Sequence, residues 1–294
     1  MKKIILIAIS SIILILTFIY VSSGILFYYN QEKIIFQGQP MPLGFIYEFN
    51  TKGGYPNFSE AEEINLITID NVKINGVLAK TPGSKGVVLY FHNYNAKLWN
   101  FGTEMVKYSD QGYDVMMIDY RGYGKSEGVV KSEQDIYSDA QAGYDWLKTK
   151  YSESQIIVAG REFGTAPAAK IAELNNPKQL ILDRPFYSGD DFLFQNAPFI
   201  PSQALKYKFS INQMLPKVKA PIAIINSQIS LPIPANSSQR LSKLFKQGDY
   251  YFPDNLEFDF SKAPDPSVSR EQDFENRLKA HETEVKSIMA RVIK

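Results

Sequence analysis

A chain of 294 residues with 45% hydrophobic residues has the material for one sizeable core and one additional apolar segment. Its 32 Lys and Arg stand against 31 Asp and Glu, a formal charge of +1, so no nucleic-acid partner is expected. Cysteine is absent, which excludes disulfides, thiolate nucleophiles and zinc–thiolate sites; the two histidines, His92 and His281, lie far apart, and no metal or other cofactor is expected.

Between Lys3 and Glu32 no residue is charged, and Ile4–Tyr29 is almost wholly apolar. At about 1.5 Å per residue this run is long enough to cross a hydrocarbon layer of about 30 Å with some tilt. Residues 1–31 are therefore expected to form a single-pass anchor, the alternative being a signal peptide cleaved near Val21–Gly24. Lys2 and Lys3 precede the span, so the positive-inside bias places the globular part on the non-cytoplasmic side. Residues 32–59 are expected to be a linker.

From residue 60 to 262 a globular domain is expected. Ile64–Ile69 and Val72–Leu78 predict a strand pair joined at Asp70-Asn71. The continuous apolar runs Gly86–Phe91 and Asp114–Asp119 predict strands buried on both faces. The second leads into the glycine-rich loop Tyr120–Gly128. A helix is expected over Ser132–Lys150, with Ile136, Ala140, Tyr144 and Leu147 on one side. Ile156–Ala159, Gln179–Leu182 and Ile222–Ile225 predict three further strands. Strands alternating with helices imply right-handed crossovers and a mostly parallel central sheet flanked by helices. A short lid is expected at about 187–220, where prolines and aromatics crowd together. Residues 263–294 predict an amphipathic helix opened by the capping-box pattern Ser269/Gln272. Its stripe of Phe274, Leu278, His281, Val285, Ile288 and Val292 would dock on the sheet or pair with a second copy.

Four blocks together resemble the α/β-hydrolases, and within them the membrane-anchored, short-lidded abhydrolase-domain (serine aminopeptidase-like) proteins. They are Leu89–Ala96, Tyr113–Gly128, Gly160–Lys170 and Leu180–Phe186. The resemblance covers roughly residues 60–250. It implies a nucleophile elbow Gly-x-Ser-x-Gly on a strained strand-to-helix turn. Here both flanking glycines are kept, as Gly160 and Gly164, while Glu162 occupies the nucleophile position. The acid position of the family is matched by Ser230. The catalytic histidine expected after the last strand has no counterpart in Lys246–Lys262. The resemblance places the oxyanion region at His92, Asn93 and Phe163.

A carboxylate nucleophile still needs a histidine to activate water, and a charge beside the oxyanion hole opposes the charge that develops in acyl transfer. The expected function is thus that of a catalytically inactive pseudo-hydrolase with a binding or scaffolding role. A small-molecule or acyl ligand would occupy its cleft. The alternative is a carboxylesterase- or lipase-like hydrolase working through a non-standard site. Arg161, Arg121 and His92 are the candidate partners of Glu162. Asp119, Arg121 and Ser126 are read as loop-fixing residues, His281 as a packed one, and Asp183, Asp190 and Asp191 as solvated carboxylates.

Overall fold

The structure is a computed structural model that describes residues 2–38, 40–42, 60–94, 101–226, 233–234, 236–245, 248–251 and 283–293, the side chains of 101–104 and 249–251 excepted. One eight-stranded sheet organises the domain, in the order β1-β2-β4-β3-β5-β6-β7-β8. Strands β1 (Glu60–Ile67) and β2 (Lys73–Lys80) form the expected hairpin, and β2 lies antiparallel to β4 (Asp114–Ile118). From β4 the sheet is parallel through β3 (Val87–Phe91), β5 (Ile156–Arg161), β6 (Gln179–Asp183), β7 (Ile222–Ile225) and β8 (Gly248–Tyr251). Every residue of β3, β4 and β7 is buried, as their unbroken apolar runs require when both faces are covered.

Helices close each face. On one side pack α3 (Glu133–Lys148), α4 (Thr165–Leu174), α6 (Ile211–Met214) and α7 (Asn236–Ser242), with the aromatics of the lid above them. Ser132 caps α3, and the Asp135 side chain returns to the Ser132 amide. The other face carries α2 (Phe101–Ser109) and the helical residues 283–292. There Val285, Ile288, Met289 and Val292 are buried against the sheet, and the Gln179 amide donates to the Val292 carbonyl at 2.7 Å. Of the two partners open to the terminal stripe, the described turns take their own sheet. Phe274, Leu278, His281 and the Ser269/Gln272 pattern lie outside the described residues.

The first helix, α1, runs unbroken from Lys2 to Ile35, beyond the expected anchor boundary at residue 31. Nor do the first residues of the expected 32–59 linker hang free. The Phe36 ring packs edge-on against Phe163 and Tyr207, and Pro40 and Met41 pair with Gly124. The helix continues past residue 31 because Ile34, Ile35 and Phe36 resume the apolar pattern after one charged turn, and the domain supplies an aromatic surface for Phe36. Among the described residues α1 is the one helix long and apolar enough to cross a membrane.

Candidate functional site at the elbow and the cavity beside it

The parallel register sets Arg161 opposite Asp183 at the ends of β5 and β6. The next residue on each strand is Glu162 and Arg184, and both adopt the left-handed backbone conformation, with φ of 50° and 53°. Such a conformation costs a non-glycine residue about 1–2 kcal/mol, and it turns both side chains off the sheet edge. Adjacent strands lie about 4.8 Å apart, so the two meet: Arg184 Nη2 is 2.9 Å from Glu162 Oε1. Arg184 is 6% exposed and Glu162 20%. The other carboxylate oxygen accepts from Asn93 Nδ2 at 3.3 Å.

The turn depends on its glycines. A Cβ on Gly160 would lie 2.1 Å from the Gly164 carbonyl oxygen, and one on Gly164 would lie 2.1 Å from that of Phe91. The elbow is thus kept in shape with a carboxylate at its apex. Thr165 Oγ1 donates to the Glu162 carbonyl and ties the apex to the start of α4.

His92 and Asn93 follow β3, and their loop is held from below by Tyr120, whose hydroxyl donates to the His92 carbonyl at 2.9 Å. His92 itself is 2% exposed, packs on the Tyr120 ring, and points Nε2 toward Asp119 at 3.5 Å, with Nδ1 2.7 Å from the Asn93 carbonyl. Its recorded contacts are structural, and it does not line the cavity. Arg121 is engaged by Asp70, Asp135 and Asp139, while Arg161 lies 3.8 Å from Asp183. Ser126 Oγ donates to the Asp119 carbonyl at 2.6 Å, the loop-fixing role expected of it. Of the lid acids, Asp191 pairs with Arg240 at 2.6 Å and Asp190 lies 3.8 Å from Lys208. Glu162 therefore takes Arg184, a partner the sequence reading did not name. The signal lay in the block Leu180–Phe186: the residue after β6 is the neighbour, one strand over, of the residue after β5. Ser230 lies outside the described residues, as does 252–262, so the acid and histidine positions of a triad have no described geometry.

Glu162 and Phe163 also form part of the wall of a cavity of about 450 Å³, a size that suits one small ligand. The rest of the lining is almost entirely apolar. The lid contributes Phe192 and Ile200, and α1 contributes Phe27, Ile34 and Ile35. Phe163 is packed edge-on by Phe36, Tyr120 and Phe209, so the end of α1 and the elbow share one aromatic cluster. Chemically, the site offers a mostly apolar cavity with one carboxylate in its wall, whose two oxygens are already engaged. That arrangement suits a hydrogen-bond donor better than an electrophile. Among the described residues no group of three or more His, Asp or Glu could hold a metal ion.

Residues 82–244 match the family described as Hydrolase_4, serine aminopeptidase S33. The chain is 28% identical over 202 residues to the uncharacterized protein Rv2307c of Mycobacterium tuberculosis, covering 66% of this chain and 72% of that one. It is 26% identical over 189 residues to the zebrafish (Danio rerio) protein named lysophosphatidylserine lipase ABHD12, covering 56% of this chain but only 48% of the relative. Among solved structures, the Pyrococcus furiosus esterase Pf2001 superposes with a TM-score of 0.59 at 19% identity, over 86% of this chain and 98% of the esterase. At that identity the likeness shows the α/β-hydrolase fold alone.

Proposed function

From the premise that the chain belongs to the serine aminopeptidase S33 family of α/β-hydrolases, we propose that it is a membrane-anchored member that binds an acyl-bearing ligand rather than hydrolysing it by a serine mechanism. The observation that carries this reading is the Glu162–Arg184 pair at 2.9 Å in the nucleophile position. A carboxylate held by a guanidinium and an amide is a poor nucleophile, because attack through either oxygen gives up that oxygen's contact and the ester formed no longer carries the charge that Arg184 balances. The apolar cavity beside it accepts a chain, and the lipase name of the zebrafish relative favours a lipid as its source. In this reading α1 spans the bilayer, and Lys2 and Lys3 keep its N-terminus cytoplasmic, so that the domain lies on the other side.

The competing reading, hydrolysis of an ester or acyl substrate at a non-standard site, draws on the lipase and esterase names of the relatives. Against it stands the engagement of both Glu162 oxygens. The test is binding of a fluorescent single-chain lipid to the full chain in detergent micelles, beside an Ala197→Trp variant that fills the lid side of the cavity. Saturable binding that weakens at least tenfold in the variant supports the cavity as the site. Absence of binding to the wild-type chain overturns the proposal.

A further inference from the structure

Outside α1, the exposed aromatic side chains among the described residues are two phenylalanines of the lid, Phe194 at 70% and Phe199 at 63% exposure. They sit on α5 (Gly189–Asn196) and on the loop after it, in a stretch where no residue is charged between Asp191 and Lys206. This stretch is fastened along α1. Ser23 Oγ donates to the Phe199 carbonyl at 2.9 Å, and Gly24 faces Pro201 so closely that a Cβ would lie 2.6 Å from its ring. About two turns further, Gln31 donates to the Ala204 carbonyl and accepts from the Lys206 amide.

Both elements turn from apolar to charged at the same height. On α1 the first charge after Lys3 is Glu32, on the lid it is Lys206, and the two form an ion pair at 2.8 Å. Ile4–Ser23 measures about 30 Å as a helix, the thickness of a hydrocarbon core, and the apolar run to Tyr29 measures about 39 Å. The helix thus meets the lid where the hydrocarbon ends, or up to about 9 Å inside that boundary. An uncharged segment carrying two exposed phenylalanines, fixed at that level, has lipid as its neighbour.

We propose that the lid surface around Phe194 and Phe199 is a bilayer-contact surface, immersed in the interfacial layer with the Glu32–Lys206 pair at its waterline. The cavity then opens beside lipid, since Phe27 of α1 and Ile200 of the lid are both in its wall. This inference rests on the anchor reading of α1 and is independent of whether the site hydrolyses anything.

The absence of cysteine makes the test direct. Single-cysteine variants Phe194→Cys and Phe199→Cys of the full chain, labelled with an environment-sensitive fluorophore, are placed in phosphatidylcholine vesicles with and without dibrominated phosphatidylcholine. Ile12→Cys reports the span, and Ile69→Cys, at a site 98% exposed, reports water. Labels at 12, 194 and 199 should be quenched by brominated lipid and shielded from aqueous iodide, and the label at 69 should behave oppositely. If 194 and 199 follow 69 while 12 remains in lipid, the anchor stands and the lid proposal falls. Should 12 also report water, the anchor reading fails and the proposal with it. Shielding from iodide without quenching by brominated lipid would mean that protein covers the patch, which also overturns the proposal.

Discussion

Replacing Arg184 by Met keeps the bulk of the side chain and removes its charge, leaving the Glu162 carboxylate beside an apolar cavity. Breaking a buried ion pair costs about 3–5 kcal/mol. Glu162 is one-fifth exposed, so water screens part of the stranded charge and the expected loss is nearer 2–3 kcal/mol. Glu162→Gln retains shape and some hydrogen bonding and should cost about 1–2 kcal/mol. In the double variant neither charge is stranded, so its loss should fall short of the sum of the singles by about 1–3 kcal/mol. The assay is the thermal midpoint of the full chain in detergent micelles, followed by near-ultraviolet circular dichroism. On the usual scaling, Arg184→Met should lower the midpoint by roughly 5–10 °C. An unchanged midpoint in Arg184→Met, or strict additivity in the double variant, would refute the claim that Arg184 holds the Glu162 carboxylate in an ion pair.

Gly164→Ala should destabilise by about 3 kcal/mol or more, since the new Cβ meets backbone oxygens of Phe91 and His92 that cannot yield. Gly83→Ala, in open space at φ 65°, should cost only about 1 kcal/mol on the same denaturation assay. Gly24→Leu should push α1 off Pro201 and weaken single-chain lipid binding severalfold by opening the cavity wall, measured by fluorescence titration. Arg121 donates to both oxygens of Asp70, at 2.7 and 3.1 Å, and these bonds hold that carboxyl well below the usual carboxylate range. A folded pKa below the unfolded one gives stability that is present above about pH 4 and is lost as pH falls toward the lower folded value. The thermal midpoint should therefore drop below pH 4, and Asp70→Asn should lower the neutral midpoint while flattening that acid limb.

The strands were legible where burial on both faces leaves an unbroken apolar run, as in Val87–Phe91 and Ile222–Ile225. The hairpin was legible from the turn residues Asp70-Asn71, and Asn71 indeed takes a φ of 60°. Strand β8 was missed because Gly248–Tyr251 is short and begins with a glycine and an acid. Glu162 was recognisable from its flanking glycines. Its partner was not, because Arg184 is distant in sequence and becomes a neighbour only through the parallel register of β5 and β6. The seam between α1 and the lid was equally hidden. It rests on Gly24, which in sequence belongs to a candidate cleavage site, and on Gln31, which reads as an ordinary glutamine at the end of an apolar run. Their meaning comes from what they meet on the lid, the Pro201 ring for Gly24 and the backbone of Ala204 and Lys206 for Gln31.

The central claim is that the elbow binds and does not hydrolyse. Its most direct test is hydrolysis of p-nitrophenyl esters of increasing chain length by the full chain in micelles, beside Glu162→Ala. The account predicts no turnover above the uncatalysed rate in either protein, while single-chain lipid binding persists in the wild type. Turnover in the wild type that disappears in Glu162→Ala would make Glu162 a catalytic residue and contradict it.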